Sequence, residues 1–421
     1  MSKSRALFNF LMEGARAHAR WDYETSMSIL QSRKRMILVL CLAVPAILVS
    51  VAIAADSSIL PAILGGKKAY SPAFYTPDVF LVSIVIGLCA GLITGCIGAG
   101  GGFIITPALM SAGIKGILAV GTDLFHIFAK AIMGTAVHKK LGNVSTALAV
   151  AFLVGSGIGV TGGGLINRAL YEINPVLSDT FISVIYVVLL GFLGIYSMVD
   201  FLKLRGKDSG GDAHGPAPSS DQGLPARLQA THIPPMITFD ENLVPGGKKI
   251  SALFVALSGA LVGFLAAIMG VGGGFVTFPV FVYVLGVSSF TTVGTDILQI
   301  IFTAGYASIT QYAIYGFIFY TLAMGMLLGS LLGIQIGALT TKLVKGIYIR
   351  GFYATAILAG FANRLFALPG KLVEMKYIDL TQETTSMLTS IGNWTFFVVV
   401  GIFGVWVIGT FVTKIGQLRE D

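Results

Sequence analysis

Charge is what this chain has least of. Only 11% of its 421 residues are Asp, Glu, Lys or Arg, whereas 55% are hydrophobic. Soluble domains carry about 25% charged residues. The shortage excludes an ordinary soluble domain and implies an integral membrane protein. Cysteine is scarce too. Cys41, Cys89 and Cys96 all lie inside apolar segments, and an odd number without ligand spacing argues against disulfides and metal sites. The five histidines are scattered. No His-x-x-x-His, Cys-x-x-Cys or nucleophile elbow occurs, so the sequence offers an enzyme little, and neither metal nor cofactor is expected. The formal charge is +8, but the basic residues sit between apolar blocks rather than in one patch. They report membrane orientation, not nucleic-acid binding.

What the chain does have is a series of apolar blocks. Residues 1–34 are mixed and basic, with Leu7, Phe10, Leu11 and Ala15 on one helical face. They read as an interfacial segment on the cytoplasmic surface. Arg33-Lys34-Arg35 leads into a first transmembrane helix over 35–54. Further spans are expected at roughly 79–97, 116–138, 144–166, 180–202, 250–269, 290–312, 316–340, 347–367 and 395–415. Each approaches the ~20 residues a bilayer core requires. Residues 203–249 form a polar linker rich in Pro and Gly, expected to be cytoplasmic and largely loop.

Two glycine runs interrupt this pattern. Gly98–Pro107 reads GAGGGFIITP, and Gly270–Pro279 reads GVGGGFVTFP, at an offset of 172. Val120-Gly-Thr-Asp123 matches Val293-Gly-Thr-Asp296 at 173, and Gly155-Ser156 with Gly159 matches Gly329-Ser330 with Gly333 at 174. Three ordered matches imply two homologous halves, 78–202 and 250–367. Lys139, Lys140, Lys203, Lys342 and Arg350 are expected on the cytoplasmic side, while the uncharged loop 311–316 is expected outside. This assignment inverts one half relative to the other and leaves both chain ends in the cytoplasm.

A helix broken inside a bilayer must satisfy its backbone against protein or a wet cavity. Glycine permits the reversal. Short apolar helices are expected over 103–113 and 275–286, with Pro107 and Pro279 near the first turn, where a missing N–H costs little. Their N-terminal ends would offer free amides and a positive dipole to an anion. The glycines also fit a plain packing role. A nucleotide-binding loop is disfavoured, since no Lys-Ser/Thr follows either run.

The paired G-x-G-G-G-F-x-x-x-P, the following A-V-G-T and the basic turn ending in Gly142-Asn143 together resemble the sulfite exporter TauE/SafE family, also called the toluene-sulfonate uptake permease superfamily. The resemblance covers residues 78–367 and implies an inner-membrane permease for sulfite, sulfoacetate, sulfonates or similar anions. Many members of that family have Ser where this chain has Asp123 and Asp296.

Between Lys249 and Lys342 the one charged residue is Asp296. An isolated intramembrane carboxylate is a functional candidate by default. Its counterpart Asp123 shares a helical face with His126 and Lys130, whose own counterparts are Gln299 and Thr303. The expectation is an all-α polytopic membrane protein of two inverted repeats, with broken, re-entrant helices at the glycine motifs. A small anion binds near the midplane at Gly100, Gly101, Gly102, Phe103, His126, Lys130, Gly272, Gly273, Gly274, Phe275 and Gln299. Asp123 and Asp296 would bind protons or cap the Gly-Thr helix starts. Arg364 would anchor a span end at the interface. Two rival readings use the same residues: an anion channel, and a cation–proton exchanger built on the two aspartates.

Overall fold

The computed structural model describes residues 62–66, 77–97, 101–138, 145–205, 224–240, 246–344 and 346–414. The expected interfacial segment 1–34, the helix 35–54, Gly100, Gly142 and Asn143 lie outside the described residues.

The first half contains five helices: α1 (Pro77–Ile97), α2 (Gly102–Ser111), α3 (Gly116–His138), α4 (Thr146–Ile173) and α5 (Pro175–Arg205). The second half repeats the series as α7 (Ala252–Met269), α8 (Gly274–Pro279), α9 (Ser289–Tyr306), α10 (Tyr320–Leu343) and α11 (Gly346–Glu374). A last helix, α12 (Gln382–Lys414), follows. Among the described residues eight helices are long and apolar enough to cross a membrane, and two shorter apolar helices follow the glycine runs. The lipid-facing sides carry exposed large hydrophobics such as Leu81, Val154, Phe192, Leu257 and Val405. The chain is a multi-pass membrane protein, helical throughout its membrane-spanning elements among the described residues.

The halves are interleaved, and glycine decides where. A Cβ added at Gly87, Gly91 or Gly95 of α1 would strike the α10 backbone at Met326, Ser330 or Ile334. From the other side, Gly329, Gly333 and Gly337 of α10 meet Ile84, Leu88 and Leu92. The same seam recurs between α4 and α7, where Gly155, Gly159 and Gly163 meet Ala256, Ala260 and Phe264. Both seams run parallel, since residue numbers rise together along each pair. Lipid supplies no hydrophobic drive between helices, so close backbone contact through small residues does the joining. Other counterparts meet antiparallel. In α5 and α11, Gly191 lies beside Phe361, while Gly351 lies beside Phe201. In α3 and the helical stretch through α9, Gly121 lies beside Tyr312 and Gly305 beside Phe128.

The linker departs from the loop expected over 203–249. Helix α5 continues to Arg205, α6 spans Leu224–Ala230, and β1 (Met236–Phe239) pairs antiparallel with β2 (Lys248–Ser251). Alternation explains the pairing: Phe239 and Ile250 face inward and are fully buried, whereas Lys249 faces out. This unit holds the turn after α8. Gln229 Nε2 donates to Leu285 O at 2.8 Å, and Lys248 Nζ donates to Gly286 O at 3.3 Å. Asp240 accepts from Ser288 N at 2.9 Å and from Ser288 Oγ at 2.6 Å.

Candidate functional site

The two short helices begin face to face. Phe103 and Phe275, the second residues of α2 and α8, stack with ring centroids 4.8 Å apart. These are equivalent positions of the two repeats. The glycine turns leave no room for side chains between them. A Cβ at Gly102 would lie 2.8 Å from Val271 Cα, and one at Gly270 would lie 2.7 Å from Thr106 Oγ1. Gly270, Gly272 and Gly273 adopt φ of 79°, 66° and 94°, the left-handed region that glycine enters without strain. Gly101, Gly102, Gly274 and both phenylalanines are buried here. Tyr186 ties the centre together by donating to Met269 O at 2.6 Å.

Pro107 and Pro279 do not sit in the first turn. Each is the sixth residue of its helix. There the missing N–H leaves the carbonyl four residues back, on Phe103 or Phe275, without its helical donor. Directly after Pro279 the helix widens into a π turn over Val280–Leu285.

Asp123 and Asp296 do not cap helices. Each is the eighth residue of its helix, α3 or α9. The caps lie a full helical segment earlier: Gly116 N donates to Asp179 Oδ1 at 2.7 Å, and the Ser288 side chain accepts from Thr291 N. A carboxylate two turns into a helix reaches sideways, and both do so toward the short helices.

Each aspartate opens a polar rail that ends on a serine of the opposite half. In the first rail, Asp123 Oδ2 accepts from Thr106 Oγ1 at 3.0 Å, and Asp123 Oδ1 lies 3.6 Å from His126 Nδ1. His126 Nε2 then meets Ser330 Oγ of α10 at 2.9 Å. In the second rail, Gln299 Nε2 donates to Asp296 Oδ1 at 2.7 Å and approaches Thr277 Oγ1 at 3.2 Å. Thr303 Oγ1 donates to Gln299 Oε1 at 2.9 Å, and Ser156 Oγ of α4 meets Thr303 Oγ1 at 2.8 Å. The geometry therefore joins Asp123, His126, Asp296, Gln299 and the glycine turns in one buried core. Lys130 lies on the first rail's helix, and its Nζ is buried with no hydrogen-bond partner among the described residues.

Reading the sequence missed both serines as site residues, although Gly155-Ser156 and Gly329-Ser330 marked the repeat. It also missed Thr106 and Thr277, whose hydroxyls carry no spacing signal. Arg364 is not an interfacial anchor. It lies in the middle of α11, is 2% exposed, and donates to Asn363 Oδ1 at 2.8 Å, Ser111 Oγ at 2.8 Å and Pro107 O at 3.4 Å. A cation there complements the negative C-terminal end of α2. Cys96 is buried, with its thiol 3.4 Å from Gly337 O, in keeping with a packing role.

The chain is similar in sequence to known proteins. A family model described as sulfite exporter TauE/SafE matches residues 83–363. A probable membrane transporter protein YjnA of Bacillus subtilis (strain 168) is 25% identical over 260 residues, covering 61% of this chain and 87% of the relative. YunE of the same organism, also named a probable membrane transporter, is 24% identical over 267 residues, covering 62% and 87%. A probable membrane transporter of Xylella fastidiosa (strain 9a5c) is 25% identical over 263 residues, covering 62% and 84%. No solved structure matches the chain. A match that runs from the first helix of one repeat to the last helix of the other takes in both glycine breaks and both rails, and on it the chain belongs to the sulfite exporter TauE/SafE family.

Proposed function

We propose that the protein is a secondary transporter for a small sulfur-containing or organic anion, such as sulfite, sulfoacetate or a sulfonate. The observation that carries this reading is the Phe103–Phe275 stack, which aims two helix N-termini at one buried point. First-turn amides lack intrahelical partners and bear positive partial charge, so each terminus suits an anion. Lys130 supplies positive charge on the adjoining helix face, and its Nζ, without a hydrogen-bond partner among the described residues, is available to the ligand. In this reading Gly101, Gly102 and Gly272 to Gly274 form the backbone cradle, and His126 and Gln299 line it.

The halves are read as inverted repeats in an inner membrane, with both termini cytoplasmic. The antiparallel contacts of α5 with α11 and of α3 with α9 support the inversion, since a helix and its repeat equivalent point opposite ways. The parallel seams α1–α10 and α4–α7 then form two bundles that rock about the shared centre. In the described conformation the glycine turns are in contact, which corresponds to a closed site. Uptake of labelled sulfite and sulfonates into proteoliposomes tests the function. Asp296→Asn and His126→Ala are expected to lower the rate by at least tenfold. Transport at the parent rate in both would refute the assignment of these residues, and steady single-channel current would refute a carrier.

A further inference from the structure

The two rails differ in whether they can take up a proton, since the first holds an imidazole where the second holds an amide. Ser330 Oγ has one hydrogen and two acceptors within reach, Leu327 O at 3.2 Å and His126 Nε2 at 2.9 Å. With that hydrogen on Leu327 O, Ser330 accepts from His126 and the ring hydrogen sits on Nε2. In a neutral imidazole Nδ1 is then a bare acceptor. It faces Asp123 Oδ1, a second bare acceptor, at 3.6 Å, and neither atom has a hydrogen-bond partner among the described residues. Both side chains are 0% exposed. Two opposed lone pairs in a dry core repel unless one proton lies between them. Acid with imidazole, or carboxylate with imidazolium, satisfies the pair equally, and each contains one proton more than carboxylate with imidazole.

The second rail needs none. Ser156 donates to Thr303, Thr303 to Gln299 and Gln299 to Asp296 Oδ1, so each link of the chain pairs a donor with an acceptor. The amide fills the place that the proton fills in the first rail.

We propose that Asp123 and His126 form the proton-carrying site of the transport cycle, and that Asp296 with Gln299 is a fixed, proton-free counterpart. The inference rests on the permease reading above. The pair lies against the glycine cradle: a Cβ at Gly102 would be 3.3 Å from Asp123 Oδ2. An anion bound to the cradle would favour loading of the proton, and the loaded pair would favour the anion, by the same factor. One proton and one monovalent anion then cross together without net charge. Of the other charged and titratable groups around the pair, Tyr186 and Arg364 are already committed, whereas Lys130 Nζ has no hydrogen-bond partner among the described residues. Lys130 faces it from the same helix. Tyr186 of α5 donates to Met269 O. Arg364 of α11, beyond Tyr186, is bound to Asn363, Ser111 and Pro107 O. Helices α2 and α10 present Thr106 and Ser330.

The second rail also supplies the variant. His126→Gln places in the first rail the residue that the second already accommodates. Proteoliposomes are given a pH gradient of known size and labelled sulfite, with empty liposomes as baseline. Steady-state accumulation is read, because it reports coupling and not rate. The parent should accumulate about tenfold per pH unit, the ratio equivalent to one proton per anion. His126→Gln should equilibrate without accumulation, and Asp296→Asn should keep the parent ratio even if slow. Infrared difference spectra between acid and alkaline buffer form a second arm that needs no substrate. A carboxyl or imidazole band should appear in the parent, vanish in Asp123→Asn and His126→Gln, and persist in Asp296→Asn. Accumulation by His126→Gln at the parent ratio overturns the proposal, as does sulfite exchange by a parent indifferent to the gradient, while the permease reading survives both. No sulfite transport by a parent that shows the band removes the substrate reading and leaves the proton site standing.

Discussion

Gly159 and Gly162 lie one turn apart on α4, and their replacement by Ala should act in opposite directions. An added Cβ at Gly159 would lie 2.8 Å from both Ala260 C and Phe264 N, which are backbone atoms of α7. Backbone cannot rotate aside, and the Cβ would come closer still to Ala260 O, so the helices must move apart along their closest seam. Overpacking of this kind costs about 1–3 kcal/mol. Removing a helical glycine returns about 0.5–1 kcal/mol. Gly159→Ala should therefore destabilise by about 1–2 kcal/mol. At Gly162 an added Cβ meets nothing within 4 Å, so only the propensity gain remains. The difference between the two variants should be about 2 kcal/mol, or roughly 2–3 °C in the unfolding midpoint of a chain of 421 residues. Thermal unfolding of the purified protein in one detergent at one scan rate reads it. Gly333→Ala, the counterpart of Gly159 in the α10 seam, would meet Leu92 N at 2.7 Å and should behave like Gly159→Ala. Equal shifts for Gly159→Ala and Gly162→Ala would refute the idea that backbone contact at the seams, and not glycine content, holds the bundles together.

Other perturbations follow from the same contacts. Asp240→Ala removes both bonds to Ser288 at the start of α9 and should cost about 1–2 kcal/mol in the same unfolding measurement. A double-mutant cycle of Phe103→Leu and Phe275→Leu should show a coupling of about 0.5–1.5 kcal/mol, and additive effects would contradict the stack. Arg364→Leu should destabilise by about 2–3 kcal/mol, because Ser111, Asn363 and the Pro107 carbonyl lose a charged donor. Arg364→Lys should recover part of that loss, since an ammonium reaches fewer of these acceptors at once.

The sequence by itself determined the membrane class and the place of nearly every described helix, and it marked the matching motifs of the two halves. These depend on local quantities: apolar run length, glycine runs and the spacing between equivalent motifs. It also isolated Asp123, His126 and Asp296, because an ionisable residue in an apolar run stands out without any fold. It misjudged Arg364, whose distance from the helix end was hidden until α11 proved to run to Glu374. It misjudged the linker, where a sheet of two short strands forms by packing Phe239 and Ile250 rather than by composition. Only the tertiary structure decided that the first helix of each half lies along the fourth helix of the other. Only then do Ser330 and Ser156 reach the opposite rail, and only then do the two glycine breaks meet. A hydrogen bond between halves depends on which backbones approach within a few ångströms, and that is settled by long-range packing that no window of sequence contains.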